Sequence, residues 1–199
     1  MWQPKIEIKK FGENAVFEHN EFVEVVEFSE YDPDLLDNYV MDVVKLLERK
    51  GRKIATAESC TGGLLSAYLT SVNGASAVFE CGLCTYSNRI KEQLLHVPSE
   101  VLNEHGAVSR QTARAMLDGI RMVSSADLCV SVTGFAGPQG GTEQDPVGTV
   151  YVGMGYQEQS WVYCLRLWHT GRCGREFNRK MTAAFVFRKA AELLMEEDS

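Results

Sequence analysis

Short strand-like runs alternate with helical patterns over most of the chain, from about residue 53 to the C-terminus. The runs KIATAE, ASAVFECGLCTYS and ADLCVSVTG are separated by segments whose apolar residues recur at helical spacing. Two later runs, TVYVGMGYQ and SWVYCLRLWHT, are typical of an antiparallel pair, and a long helical pattern follows them. This alternation predicts an α/β fold, a three-layer α/β/α sandwich around a mixed sheet.

The N-terminal segment differs from the rest of the chain in charge and in pattern. Residues 1–34 carry nine acidic residues and three lysines, so nearly all of the net charge of −7 lies there. The runs IEIKK, NAVFEHN and EFVEVVEF predict short strands. We therefore expect an acidic β-rich extension or hairpin over residues 1–32 and one domain over residues 33–199. The extension is expected to cover a sheet edge, join an oligomer interface or dock a partner, and its exposed strands favour a homo-oligomer, a dimer or larger.

Composition argues against several classes of protein. The negative net charge disfavours a general nucleic-acid binder, which needs a basic face. The sequence has no run of about 18 apolar residues, the length that spans a membrane. The first ten residues, MWQPKIEIKK, lack the apolar core of a secretory signal, so we expect a cytoplasmic protein. The six cysteines are then expected to be free thiols. Cys81 and Cys84 form a C-x-x-C pair without a second ligand pair, so no metal is expected.

A turn with two adjacent glycines follows the first strand of the predicted domain. It reads TAESCTGG and contains Ser59, Thr61, Gly62 and Gly63. Glycine lets the backbone approach a ligand closely, and a helix that begins here directs unpaired N–H groups toward that ligand. Such a turn stabilises a phosphate or a developing oxyanion. The alternative interpretation is a simple helix cap, which is the more common one for an isolated motif of this kind.

A lysine lies in the first turn of a later predicted helix. The segment TYSNRIK places Asn88 at the cap and Lys91 in that turn, with Tyr86 just before. The helix dipole disfavours a cation there, and burial would also lower the pKa of the lysine. A neutral lysine can accept the proton of a serine hydroxyl. The alternative is a solvated surface lysine.

A glycine-rich loop follows the apolar strand ADLCVSV. Ligands of α/β proteins gather outside the carboxyl ends of such strands, and the backbone amides of the loop can form an anion-binding nest. A plain connecting loop is the alternative. The candidate ligand contacts in this loop are Thr133, Gly134, Ala136, Gly137, Gly140 and Gly141.

Taken together, these segments resemble the CinA C-terminal domain family, whose stand-alone members (PncC-type enzymes) act as nicotinamide-nucleotide amidohydrolases. The resemblance rests on TAESCTGGLLSAYLT, TYSNRIK, HGAVS and TGFAGPQGGTEQDPVGTVYVG, in this order, and it covers roughly residues 35–195. It implies a three-layer α/β/α fold and hydrolysis of the carboxamide of nicotinamide mononucleotide to nicotinate mononucleotide and ammonia. It also implies a small pyridine-nucleotide substrate and a reaction without a metal or cofactor.

The resemblance implies a role for each motif. Ser59 would be the nucleophile and Lys91 its proton acceptor, and backbone amides near Thr61–Gly63 would hold the oxyanion. The glycine-rich loop would help to hold the ribose-phosphate. The further candidate contacts are Tyr86, Asn88 and Arg175, with Arg172 as the alternative to Arg175 at the phosphate.

Two departures from the family pattern bear on the substrate. Family members commonly read G-G-T-P-E-K-P-V-G, whereas this chain has Glu143, Gln144 and Asp145 at the P-E-K positions, which removes a cation. The stretch 171–175 also lacks the Asp of the family's G-D-R. The alternative function is therefore a catalytically inactive nucleotide-binding or regulatory module. A third hypothesis makes Cys60 the nucleophile, although no His lies near it in sequence to activate it.

Overall fold

The computed structural model describes residues 19–196 and contains one six-stranded mixed sheet with helices on both faces. The strands are β1 (His19–Val25), β2 (Ile54–Glu58), β3 (Phe79–Cys84), β4 (Leu128–Gly134), β5 (Thr149–Tyr156) and β6 (Gln159–Arg166). The helices are α1 (Leu36–Lys50), α2 (Leu64–Ser71), α3 (Ala75–Val78), α4 (Asn88–Leu95), α5 (Ser99–His105), α6 (Arg110–Val123) and α7 (Arg175–Glu196). The predicted α/β fold with a mixed sheet is confirmed.

Strand direction decides where a site can form. The sheet order is β1-β6-β5-β4-β2-β3, and β2 is parallel to both of its neighbours, β3 and β4. The carboxyl ends of these three strands therefore meet at one edge of the sheet. Strands β4, β5 and β6 are joined by antiparallel pairing, as predicted for β5 and β6.

Helix ends follow local chemistry that the sequence displays. The Asp32 side chain accepts from the amide of Asp34 and caps a short 3-10 turn, Pro33–Leu35, that leads into α1. Helix α1 ends at Gly51, which adopts the left-handed conformation that glycine tolerates best. Ser109 caps α6 by accepting from the amide of Thr112. These short-range contacts fix the lengths of the helices that enclose the sheet.

The two largest hydrophobic clusters of the described residues hold the layers together. On one face, α1, α2 and α7 pack on the sheet through fully buried side chains such as Leu47, Leu65 and Phe187. On the other face, α4 and α6 contribute Leu95 and Met116 to a second cluster. Burial of this apolar surface supplies most of the free energy of folding, and it fixes the turns that lead out of the strands.

The structure corrects two details of the predicted elements and extends another. The first residues of ASAVFECGLCTYS form helix α3, and only the part from Phe79 onward is a strand. The last of the three strands predicted near the N-terminus is present as β1, and it lies parallel to β6 and covers the edge of that strand. The first predicted strand, residues 14–18 of the second, and the hairpin lie outside the described residues, and the last two residues of the second strand begin β1. The predicted cap Asn88 is the first residue of α4, and Ser87 precedes it at the cap position.

Two further properties concern residues 19–196. None of their helices is both long and apolar enough to cross a lipid bilayer. Within the same residues, no three His, Cys, Asp or Glu side chains come together as a potential metal site. All six cysteines are free thiols, of which Cys60, Cys129 and Cys164 are buried.

Candidate active site

Three loops meet at the edge where the parallel strands end. The turn at residues 59–63 follows β2, the turn at 85–87 follows β3, and the glycine-rich loop follows β4. The chain leaves β2 toward α2 on one face, whereas it leaves β3 toward α4 and α6 on the other. In open α/β sheets such a divergence opens a crevice in which ligands bind.

Ser59 and Lys91 meet in this crevice. The Lys91 ammonium nitrogen, Nζ, lies 3.1 Å from Ser59 Oγ, 2.9 Å from the carbonyl oxygen of Thr85 and 3.3 Å from that of Tyr86. Lys91 is only 1% exposed. Full burial is rare for lysine, whose charged group normally stays in water. The alternative of a solvated surface lysine is therefore wrong.

Burial is also the largest influence on the charge of Lys91. It lowers the pKa of this lysine below the ordinary 10.5, and the nearby thiols of Cys60 and Cys84 oppose the shift less strongly. A neutral amine has two N–H donors and one lone pair. The two carbonyl oxygens suit the two donors, which leaves the lone pair for the Ser59 hydroxyl. The geometry therefore fits a base that accepts the serine proton.

Glu58 holds the start of α2. Its fully buried carboxylate accepts from the amides of Leu65 (3.1 Å) and Ser66 (2.9 Å) and from the Ser66 hydroxyl (2.8 Å). We expected the N–H groups at the start of this helix to face a ligand, but two of them donate to the Glu58 carboxylate instead. Gly82 lets Ser66 come close, because a Cβ there would lie 2.1 Å from the Ser66 Oγ.

The turn that carries Ser59 is fixed by its backbone. The Ser59 amide donates to the carbonyl of Val132 on β4 (2.9 Å), and the Gly62 amide donates to the Ser59 carbonyl (3.0 Å). Gly62 and Gly63 have positive φ, 60° and 88°. Among the described residues, the amides of Cys60, Thr61 and Gly63 have no acceptor in another residue. These three donors remain for an oxyanion.

Arg179 on α7 supports the same turn and was not identified from the sequence. Its guanidinium donates twice to the Thr61 carbonyl, from Nε at 3.0 Å and from Nη2 at 2.6 Å. Arg179 lies four residues after Arg175, so both side chains are on one face of α7. This four-residue spacing from Arg175 is the sequence feature that could have identified Arg179.

Arg175 joins the two loops on either side of the crevice. Its guanidinium donates to the carbonyl of Gly137 (3.0 Å) and to the Tyr86 hydroxyl (3.1 Å). One turn further along α7, Nδ2 of the Asn178 side chain donates to the carbonyl of Ala136 (3.0 Å). Helix α7 thus anchors the glycine-rich loop next to the Ser59–Lys91 pair.

Some predicted ligand contacts have structural partners. The Thr133 hydroxyl donates to the carbonyl of Ala107 (2.6 Å), and the side chain is 1% exposed. At Gly134 a Cβ would lie 2.7 Å from the Thr149 carbonyl, so pairing with β5 requires glycine. Arg172 lies over the Phe177 ring, 4.4 Å from its centroid. A role in substrate binding stays a prediction for all of these residues, as it does for the exposed Asn88, Gly140 and the half-buried Gly141.

Cys60 is poorly suited to act as a nucleophile. Burial raises the pKa of its thiol to about 12, so the reactive thiolate is scarce at neutral pH. Lys91 lowers the pKa only slightly against this effect. Of the two neighbouring side chains, Ser59 is the one placed next to a base.

Comparison with known proteins identifies the family. The model of the CinA C-terminal domain matches residues 37–194, which is most of the chain. The chain belongs to the CinA C-terminal domain family. A CinA-like protein of a Synechococcus species is 44% identical over 162 residues, covering 81% of this chain and 38% of that protein. A CinA-like protein of Cytophaga hutchinsonii is 42% identical over 166 residues, covering 83% and 38%.

Solved structures of CinA proteins have the same fold. A competence-damaged protein (CinA) superfamily protein from Klebsiella pneumoniae superposes with a TM-score of 0.76 at 30% identity, covering 81% of this chain and 98% of that one. The competence/damage-inducible protein CihA from Agrobacterium tumefaciens gives 0.74 at 36% identity, covering 82% and 96%. The chain spans about a third of the length of the curated relatives it matches. The CinA domain begins after β1, which lies outside the matched residues.

Proposed function

We propose that this CinA C-terminal domain protein is an amidohydrolase that converts nicotinamide mononucleotide into nicotinate mononucleotide and ammonia. The observation that carries the proposal is the contact between the buried Lys91 amine and the Ser59 hydroxyl at 3.1 Å. A serine needs an adjacent base to attack an amide, and a lysine with a lowered pKa supplies one.

In the first half of the reaction, Lys91 takes the proton of the Ser59 hydroxyl as the oxygen attacks the carboxamide carbon. Backbone amides from among Cys60, Thr61 and Gly63 then donate to the oxyanion. The Lys91 ammonium returns the proton to the amide nitrogen, the C–N bond breaks, and ammonia leaves. One oxyanion donor is typically worth about 3–4 kcal/mol of transition-state free energy, so the position of this turn matters.

In the second half, water releases the product. Lys91 is neutral again and takes a proton from the water that attacks the ester on Ser59. Collapse of the second oxyanion breaks the ester bond, and the proton returns to the Ser59 oxygen. The two side chains thus serve both halves of the reaction, each in the same position.

The substrate assignment is supported by the cationic wall of the crevice. Arg175 lies between Gly137 and the Tyr86 hydroxyl, where its guanidinium can also meet a phosphate. Glycines with positive φ at residues 137, 140 and 141 allow the loop to follow a ribose-phosphate closely.

The test is ammonia release from a panel of pyridine nucleotides and simple amides. We expect turnover of nicotinamide mononucleotide by the wild type, and its loss in Ser59→Ala and Lys91→Ala, each checked for an unchanged circular dichroism spectrum. Lys91→Arg is a matched control that retains a cation but cannot act as a base. Nucleotide binding without turnover by the wild type would instead support the inactive binding module.

A further inference from the structure

Charged side chains connect the N-terminal strand β1 to the glycine-rich loop. In the parallel register, Glu24 of β1 lies opposite Cys164 of β6. The Glu24 carboxylate pairs with the Arg166 guanidinium, which also pairs with Asp145 at 2.9 Å. The hydroxyl of Tyr151 donates to the same Asp145 oxygen at 3.4 Å. A strand outside the residues matched to the family thus reaches a loop inside them.

Asp145 links the Arg166 guanidinium to Thr142, which lies earlier in the glycine-rich loop. Its amide donates to Thr142 Oγ1 (2.9 Å), and its carbonyl accepts from the Thr142 amide (2.8 Å), which closes a tight turn. At Gly141 a Cβ would lie 2.7 Å from the Val147 nitrogen, and at Gly137 a Cβ would lie 2.6 Å from Val147 Cγ1. The loop backbone is closely packed at Gly137 and Gly141. We therefore expect a displacement of Asp145 to move the residues of the loop that α7 binds, Ala136 and Gly137.

We propose that Glu24 and Arg166 are positioning residues that hold the loop at residues 134–148 in the conformation that binds the anionic part of the substrate. The inference rests on the proposed function and assigns β1 a part in substrate affinity. Asp145 stands where family members commonly have a lysine, and Arg166 offsets its charge. The side chains of Arg166 and Asp145 are 20% and 26% exposed, so water screens their ion pair less than a surface pair.

A positioning role and a purely electrostatic role predict opposite signs for one substitution. Glu24→Gln removes a negative charge, and this alone would lower the KM for an anionic nucleotide. If Glu24 positions the loop through Arg166, the same change raises KM by about two- to fivefold, because the Glu24 side chain is 50% exposed and an ion pair of this kind contributes little. The kcat stays within twofold of the wild-type value, because the Ser59–Lys91 pair is untouched. A twofold change in kcat corresponds to about 0.4 kcal/mol of activation free energy.

Glu21→Gln is the matched control. Glu21 is on the same strand and carries the same charge, but it makes no ion pair with any residue that the structure describes. We expect the KM of Glu21→Gln to equal that of the wild type or to fall. Arg166→Lys keeps the cation but lacks the fork that serves two carboxylates at once, so we expect it to raise KM as Glu24→Gln does.

Hydrogen exchange gives a readout that does not depend on turnover. The backbone amides of residues 137–148 should exchange faster in Glu24→Gln than in Glu21→Gln. Equal KM values for Glu24→Gln and Glu21→Gln, or equal exchange in the loop, would overturn the inference. A wild type without any hydrolysis would refute the proposed function alone, and the exchange comparison would then decide whether Glu24 positions the loop.

Discussion

The carboxylate of Glu58 offers a severe test of how the Ser59 turn is held. Its two oxygens accept three hydrogen bonds at 2.8–3.1 Å in a fully buried position. Glu58→Gln keeps the shape of the side chain but turns one acceptor into a donor. The amide of Leu65 or Ser66 then faces an N–H group and loses its partner.

The magnitude follows from those contacts. A buried donor without a partner costs about 1–3 kcal/mol, and loss of a negative charge at a helix N-terminus costs about 0.3–1 kcal/mol. We therefore expect Glu58→Gln to lower the free energy of unfolding by about 2–3 kcal/mol. Because the turn directly after Glu58 carries Ser59, we also expect kcat to fall by about tenfold or more.

The assay is urea unfolding followed by fluorescence, with ammonia release measured on the folded variant. Glu100→Gln is the control, since Glu100 also lies in the first turn of a helix but is exposed and accepts no hydrogen bond from another described residue. It should lose no more than the about 0.3–1 kcal/mol that a negative charge contributes at a helix N-terminus. A loss below about 1 kcal/mol for Glu58→Gln would refute the reasoning, because the three bonds would then contribute no more than an ordinary pair.

Three further predictions concern the same crevice. The kcat/KM should rise with pH through the lowered pKa of Lys91 and then level off, because the neutral amine is the active form; a limb centred at or above 10.5 in the pH–rate profile would contradict this. Cys60→Ala should keep kcat within about threefold of wild type, since a thiol with a pKa near 12 is protonated; near-complete inactivation would revive the thiol as the nucleophile. Arg179→Lys should lower kcat by about tenfold, because lysine replaces two bonds to the Thr61 carbonyl with one, and an unchanged kcat would argue against a positioning role.

Features that depend on neighbouring residues could be predicted well. Asp32 and Ser109 cap their helices, and Gly51 ends α1, because capping chemistry acts within four residues. The direction of the pKa shift of Lys91 was proposed from its place in the first turn of a helix, whereas its burial, the largest cause of that shift, was left open against a solvated surface lysine. The pairing of Lys91 with Ser59 was expected only from the resemblance to the CinA C-terminal domain family.

Features that depend on distant contacts could not be predicted in this way. Arg179 is 118 residues from the carbonyl that it binds, and the sequence near Thr61 carries no sign of it. The capping role of Glu58 was missed because the residue ends a buried strand, where a carboxylate is unexpected without its partners. The parallel pairing of β1 with β6 joins segments about 140 residues apart, which no local pattern indicates. The charge pattern of the N-terminal extension alone left three roles open for it.

The central claim is that Ser59 attacks the substrate after giving its proton to a neutral Lys91. Rapid acid quench of the wild type during turnover of nicotinamide mononucleotide, followed by peptide mass spectrometry, tests it most directly. We expect an ester-linked nicotinoyl nucleotide on the peptide that contains Ser59, and no turnover or adduct in Ser59→Ala. Undiminished ammonia release by Ser59→Ala would contradict it.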